Sequence, residues 1–321
     1  MEFFFDVVMG KPLWMWAIFL TVIVFLLAFD LGVLHRKTHE VSIKESLWMS
    51  AFYIGIALLF GGWVWYELGA QSGEEYLTGF IVEKTLALDN VFVISLIFSY
   101  FAIPRIYQHK VLFWGILGVI VLRAIMIGLG ATLVSQFSWI LHIFAAFLII
   151  TGLKMLWMAD HKPDIESNPL LKFMRKHFRI SQTLHEDKFT VKLPDQKTGK
   201  MLTYATPLLV ALVLIEFVDL IFALDSIPAI FTITLDPYIV YTSNIFAILG
   251  LRALYFALAA IINRFKYLNQ ALALVLIFIG SKGFIAWGMG VEKFPTDISL
   301  GVTFSLILGG ILFSLYKTKT S

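Results

Sequence analysis

Nine apolar segments, each long enough to cross the hydrocarbon core of a bilayer, recur along the chain. Such a core is about 30 Å thick and requires roughly 20 helical residues. The segments fall near residues 13–33, 47–67, 79–101, 111–134, 138–158, 204–233, 240–262, 268–290 and 297–316. Because 59% of the 321 residues are hydrophobic and only 15% are charged, a soluble domain could not bury them. The sequence therefore predicts an all-α polytopic membrane protein with about nine spans.

Lysine and arginine concentrate in alternate connections between these segments. The connections after odd-numbered segments, with the C-terminus, hold 18 of the 25 bases, whereas the N-terminus and the other connections hold only Lys11 and Lys293. Basic residues favour the cytoplasmic side. We therefore expect the N-terminus outside the cell and the C-terminus in the cytoplasm.

Five bases lie inside the segments, and four of them belong to an internal repeat. Ala-Leu-Asp occurs at 87–89 and again at 223–225, an Arg-Ala pair at 123 and 252, and Gly-x-Lys at 152–154 and 280–282. The offsets are 136, 129 and 128 residues. Each copy contains three spans, an odd number, so the two copies should point in opposite directions across the membrane. Inverted repeats with a site between them are a transporter architecture.

This pattern divides one membrane domain, residues 1–321, into parts. Spans three to five, residues 79–158, form repeat one, and spans six to eight, residues 204–290, form repeat two. Residues 159–200 form a cytoplasmic loop between the repeats, and residues 13–67 and 297–316 are predicted peripheral helices. In the loop, Asn168-Pro169 predicts an N-capped amphipathic helix on the inner membrane face. Residues 189–193 and 201–204 predict a small hairpin.

Carboxylates inside the spans indicate the functional centre. A charged group at the bilayer centre costs about 2.5–3.5 kcal/mol on insertion scales, so it faces a partner, a cavity or an ion. Carboxylate, amide and hydroxyl oxygens suit hard or borderline divalent cations such as Mg²⁺, Ca²⁺ or Mn²⁺. The predicted metal-binding residues are Glu83, Asp89, Asn90, Glu216, Asp219, Asp225 and Ser226, with Asp30 at the end of the first span as a further candidate.

Four bases are expected to flank this centre and to neutralise the acids when no cation is bound: Arg123, Lys154, Arg252 and Lys282. A buried structural Asp–Arg pair is the alternative explanation. Glu83 and Asp89 are six residues apart, as are Asp219 and Asp225, which is about 240° around an unbroken helix. We therefore expect both helices to be interrupted at the Ala-Leu-Asp segments, assisted in the second by Pro228.

Several functional classes are disfavoured. The chain has no cysteine, which excludes disulfides, thiolate metal sites and thiol catalysis. It has no Walker motif, and nothing in it points to nucleic acid. We expect no enzymatic activity and no resident cofactor, and the residues identify no protein partner besides the lipid bilayer that surrounds the spans.

Five further stretches are distinctive: Glu-Lys-x-Leu-Ala-x-Asp-Asn-Val-Phe-Val at 83–93, Ser-Tyr-Phe-x-Ile-Pro at 99–104, Gly118-x4-Arg123, the run 217–231 and the run 243–253. Together they resemble the TerC/Alx family of bacterial inner-membrane proteins. The resemblance implies inverted three-helix repeats and an association with manganese efflux, metal homeostasis, tellurite resistance or alkaline response. It also implies metal handling by the acids at 83, 89, 216, 219 and 225.

The expected function is export of Mn²⁺, or a similar divalent cation, across the bacterial cytoplasmic membrane. We expect alternating access, with the acids exchanging the cation for protons, because burial favours neutral carboxyls and a bound cation favours charged ones. Two alternatives remain open: an exporter of a small organic solute such as an amino acid, and a non-transporting accessory protein that delivers metal to secreted proteins.

Overall fold

The computed structural model describes residues 5–29, 42–137, 139–157, 165–194, 200–258, 267–288 and 294–319; the side chains of Asp89 and Asp225 lie outside the description. The helices are α1 Leu13–Phe29, α2 Ile43–Leu68, α3 Ala70–Tyr100, α4 Arg105–Gln136, α5 Ile140–Trp157, α6 Pro169–His177, α7 Pro207–Phe231, α8 Pro237–Leu249, α9 Leu251–Leu258, α10 Leu268–Gly288 and α11 Thr296–Lys319. Two antiparallel strand pairs accompany them: β1 Val7–Val8 with β2 Lys11–Pro12, and β3 Thr190–Pro194 with β4 Met201–Ala205.

The helices confirm an all-α polytopic membrane protein. Six described helical stretches are long and apolar enough to cross a membrane: α2, α4, α5, α7, the α8–α9 pair and α11. Helix α1 and part of α10 are apolar but shorter. Helix α3 has 31 residues and is about 46 Å long, but it carries several charged side chains. A count of nine spans therefore remains a prediction.

Helix packing is paired between the halves of the chain. Helix α3 packs on α8, α7 packs on α4, and α5 packs on α10. Helix α2 contacts both α3 and α9, and helix α11 contacts both α10 and α3. The pair α5 and α10 packs closely. A Cβ added to Gly152 would lie 2.6 Å from the Ala273 carbonyl oxygen, and one added to Gly280 would lie 2.5 Å from that of Ala145. Both contacts use glycine because its missing Cβ lets the two backbones approach closely.

The predicted loop elements between the halves are confirmed. Helix α6 begins after Asn168, whose side chain accepts hydrogen bonds from the amides of Leu170 and Leu171. Its buried Leu171 and Met174 pack in one apolar cluster with residues of α7. Strands β3 and β4 pair from Thr190–Ala205 to Pro194–Met201.

The predicted helix interruptions at the Ala-Leu-Asp segments are wrong. Helices α3 and α7 run unbroken through residues 87–90 and 223–228. Pro228 lies in the last turn of α7, where a missing amide removes one hydrogen bond shortly before the helix ends. Among the described spans of repeat two, the α8–α9 pair is interrupted, at Gly250.

Candidate functional site

Arg123 is the centre of a buried polar cluster between four helices. It comes from α4, and its side chain is 1% exposed. Its Nη1 donates to Glu83 Oε1 at 2.7 Å and to Ser226 Oγ at 2.8 Å. Its Nε and Nη2 each donate to Asp219 at 3.3 Å, and Nη1 also reaches Asn244 Oδ1 at 3.3 Å. The guanidinium thus joins α3, α4, α7 and α8.

Helical spacing explains why these side chains meet. Glu83 and Asn90 are seven residues apart on α3, and Asp219 and Ser226 are seven apart on α7, which places each pair on one face of its helix. Asn90 Nδ2 donates to Asp219 Oδ1 at 3.1 Å, which connects the two faces directly. Helices α3 and α7 therefore each contribute one carboxylate and one neutral polar side chain to the cluster, and α8 adds Asn244.

The charge of the cluster is not balanced by its own described groups. Glu83 is 3% exposed and Asp219 5%, so both carboxyl groups are removed from water. A buried charge is tolerable only with a partner in good geometry, and the planar guanidinium can serve two carboxylates at once. One arginine against two ionised carboxylates leaves an excess negative charge, which a proton or a cation could offset.

Two cavities border this cluster. One of about 130 Å³ is lined by Glu83, Asn90, Arg123 and Ser226 together with apolar side chains that include Met155 of α5. A smaller one of about 20 Å³ lies on the other side of Asn90 and Asp219, toward the ends of the helices joined by the α3–α4 connection. One water needs about 10–15 Å³, so the larger cavity has room for a partly hydrated ion.

Glu216 occupies a separate position on α7. Its carboxylate lies against Gly118 of α4, where a Cβ would overlap it. Both carboxylate oxygens are buried and have no hydrogen-bond partner among the described residues. A carboxyl group in this position is costly to keep ionised unless a cation visits it.

The other predicted flanking bases lie in different surroundings from Arg123. Arg252 Nη1 donates to His109 Nε2 at 3.0 Å. Lys282 Nζ donates to Ser299 Oγ of α11 at 3.0 Å. Lys154 is exposed in the last turn of α5. Among the described contacts, Arg123 is the flanking base that touches the predicted metal-binding residues.

The predicted metal site is thus assembled in part. Glu83, Asn90, Asp219 and Ser226 converge, Glu216 stands apart, and Asp30 and the side chains of Asp89 and Asp225 lie outside the described residues. Within the described part of the chain, no three His, Cys, Asp or Glu side chains are grouped so as to hold a metal ion.

The sequence alone predicts no role for Asn244, and it does not predict that Gly118 lies beside a carboxylate. Asn244 is fully buried and lies in the run 243–253 that carries part of the family resemblance. A polar amide in the middle of an apolar helix was the signal that could have identified it. Gly118 had no such signal, because a glycine in a span fits close helix packing anywhere.

The fold and this cluster define a multi-pass integral membrane protein with a buried charge centre between paired helices. A family profile described as "Integral membrane protein TerC family" matches residues 68–321. The chain therefore belongs to the TerC family. No solved structure matches this chain.

Bacterial relatives extend over nearly the whole chain. An uncharacterized membrane protein of Rickettsia bellii (strain RML369-C) is 51% identical over 302 residues, covering 94% of this chain and 97% of the relative. The uncharacterized membrane protein STKORF319 of Myxococcus xanthus is 45% identical over 313 residues, 97% and 94% of the two chains. The putative membrane-bound redox modulator Alx of Escherichia coli (strain K12) is 44% identical over 308 residues, 93% of each chain.

Proposed function

We propose that this protein exports a divalent cation, Mn²⁺ in the first instance, across the bacterial cytoplasmic membrane. The observation that carries the proposal is the meeting of Glu83 and Asn90 with Asp219 and Ser226 around one buried arginine. Carboxylate, amide and hydroxyl oxygens in one place are the donors that hard divalent cations use. The adjoining cavity supplies a space in which a cation can approach them.

Arg123 acts in this scheme as an internal substitute for the cargo. While no cation is bound, its guanidinium holds both carboxylates and so offsets the cost of burying them. An arriving cation competes with Arg123 for the same oxygens. Asp89 and Asp225, predicted from the sequence, are further ligands for the loaded state.

The paired packing of the helices supports alternating access by two inverted repeats. The contacts of Gly152 with Ala273 and of Gly280 with Ala145 involve positions related by the same offset of 128 residues. A contact that repeats itself with its partners exchanged is what a twofold relation between α5 and α10 produces. Rocking of one repeat against the other about this contact would open the cluster to either side in turn.

The direction and the coupling follow from charge. The distribution of basic residues favours a cytoplasmic loop between the repeats, and in this orientation the smaller cavity would face the cytoplasm. Glu216, with two buried oxygens lacking partners among the described residues, is the group best placed to take up a proton when the cation leaves. We propose cation/proton exchange on this basis.

Two other functions compete with this one. An exporter of a small organic solute such as an amino acid would use Arg123 or Arg252 to hold a carboxylate, whereas Arg123 is occupied by protein acids and Arg252 Nη1 donates to His109. An accessory protein that delivers metal to secreted proteins would bind the cation without moving it. The relatives named Alx are described as putative redox modulators, but a thiol-based redox role is closed to this chain, which has no cysteine.

The decisive experiment is transport by purified protein in liposomes. We expect accumulation of Mn²⁺ down an imposed gradient, with loss of at least about tenfold in Glu83→Gln, Asp219→Asn and Asp225→Asn, since each removes a charged ligand worth more than 1.4 kcal/mol. Glu67→Gln, at the exposed end of α2, is the matched control and should transport normally. Transport of amino acids without Mn²⁺, or binding of Mn²⁺ without transport, would replace the proposal by one of the alternatives.

A further inference from the structure

Lys84 makes an unexpected, partly buried contact between two helices. It follows Glu83 on α3, and its Nζ donates to the carbonyl oxygen of Ala247 on α8 at 3.0 Å. The side chain is not extended toward water, as a lysine near the end of a span would be. It instead joins two helices that lie 163 residues apart in the chain.

The Lys84 contact coincides with the interruption between α8 and α9. In an uninterrupted helix the Ala247 carbonyl would accept from the amide of Leu251, but the helix stops at Leu249 and restarts at Leu251. Within lipid, a backbone carbonyl needs a donor from the protein. Gly250 leaves room for that donor, since a Cβ at this position would lie 2.6 Å from Lys84 Nζ.

The equivalent crossing in the repeat, between α7 and α4, has neither the lysine nor the helix interruption. The repeat offsets relate Lys84 to Leu220 on α7 and Gly250 to Val121 on α4. Helix α4 runs unbroken from Arg105 to Gln136 through that position. The interruption therefore occurs at the crossing that has the lysine and is absent at the one that has a leucine.

This contact lies close to the Arg123 cluster. Asn244, one turn before Ala247 on α8, accepts from Arg123 Nη1 at 3.3 Å. We propose that Lys84 is a positioning residue: by holding the Ala247 carbonyl at the Gly250 interruption, it sets α8 so that Asn244 reaches Arg123. Its neighbour Glu83 reaches the same guanidinium from α3, so one turn of α3 governs two of the contacts that hold the arginine.

The inference rests on the proposed function for its transport test, which uses Lys84→Met, Gly250→Ala and the double variant in liposomes. Lys84→Met removes the donor, and Gly250→Ala displaces it. Each should raise the Mn²⁺ concentration for half-maximal transport by about tenfold, the worth of one hydrogen bond to a charged group, and change the maximal rate less. The half-maximal Mn²⁺ concentration of the double variant should be no higher than that of either single variant, since both substitutions break the same contact.

The matched controls are Lys44→Met, an exposed lysine in the first turn of α2, and Gly128→Ala, which has open space around it in α4. Both should behave as the wild type. A merely structural defect would lower the amount of active protein and hence the maximal rate alone. An unchanged half-maximal concentration in Lys84→Met, or additive losses in the double variant, would overturn the proposal.

Hydrogen exchange tests the same contact without any substrate. Amides 244–254 should exchange faster in Lys84→Met and in Gly250→Ala than in the wild type and the two controls. Should the wild type move no Mn²⁺ while these amides lose protection, the proposed function fails and the Lys84 contact stands. Unchanged protection would refute the contact whatever the protein transports.

Discussion

The carboxylate of Glu216 lies directly against the backbone of Gly118, where α7 crosses α4. No other residue type fits at 118 without moving the acid, because the space for a Cβ is already filled by the carboxylate. The repeat offsets relate this pair to Phe80 and Ala247, which share an apolar cluster in the other crossing. At this crossing the second half of the protein therefore has an acid, Glu216, where the first half has Phe80.

Gly118→Ala should destabilise the protein by about 1 kcal/mol, the low end of the usual cost of overpacking, because the atoms in the way are the far end of the flexible Glu216 side chain. Thermal unfolding in detergent measures this loss. Gly128→Ala, where nothing lies within 4 Å of the added Cβ, is the control and should be close to neutral. The loss should shrink in a Glu216→Ala background, and an equal loss in both backgrounds would show that the acid is not the obstacle.

Arg123→Gln should be strongly destabilising, by about 3–5 kcal/mol, because it leaves two buried carboxylates without their partner. Arg123→Lys should recover little, since an ammonium cannot reproduce the planar set of donors that reaches both acids. Adding Glu83→Gln and Asp219→Asn to Arg123→Gln should restore part of the stability. The measurement is again thermal unfolding, and an unchanged midpoint for Arg123→Gln would contradict the role given to this residue.

Gly152→Ala and Gly280→Ala should have similar effects. Each added Cβ would lie within 2.6 Å of a backbone carbonyl oxygen of the partner helix, which cannot yield as a flexible side chain can. We expect losses of about 1–3 kcal/mol for both, while Gly309→Ala in α11, with open space around it, should be nearly silent. A large effect at one position and none at the other would refute the reciprocal packing.

The ion pair between Lys110 and Asp187 ties the loop between the repeats to the start of α4, with Nζ and Oδ2 2.7 Å apart. Lys110→Asp should expose residues 181–189 to proteases, and the exchange Lys110→Asp with Asp187→Lys should restore protection. Lys192→Asp, on the hairpin, is the control for added negative charge. Failure of the exchanged pair to restore protection would show that charge does not hold the loop.

This ion pair also predicts a pH dependence. The Lys110 ammonium donates to the Asp187 carboxylate and holds the pKa of that carboxyl below its ordinary value. A group whose pKa is lowered by folding contributes stability above its unfolded pKa and loses it as the pH falls through the folded value. Protection of the loop should therefore persist from neutral pH down to about pH 4, near the ordinary pKa of Asp, and decline only below it. Proteolysis across this range checks the sign, since loss of protection already at pH 6 would require another group.

Most of the helices and several of their ends could be predicted from the residues. Apolar length set the spans, Asn168 with Pro169 marked the start of α6, and two short patterned runs marked the hairpin. The acids and bases inside the spans were recognisable because charge is rare in lipid. Their partners were not recognisable, since Arg123 and Arg252 occupy related positions in the repeat and only one of them lies among the described acids.

Helix continuity was the main error, and its cause is physical. Acids six residues apart cannot share a face of an unbroken helix. The pairs that do meet are seven residues apart, Glu83 with Asn90 and Asp219 with Ser226, and each pair shares a face without any break. The interruption at Gly250 could not be foreseen, because the donor that meets the Ala247 carbonyl there is a lysine from a helix distant in the sequence.

The sequence by itself determined that the chain enters a membrane, and it determined which polar groups go in with it. Both follow from the cost of placing apolar surface in water and charge in lipid, which depends on residue type alone. Only the tertiary structure decided which base neutralises which acid, which acid has no such partner among the described residues and where a helix stops. Those outcomes depend on distances of a few ångströms between helices far apart in the chain, and such distances are set by packing.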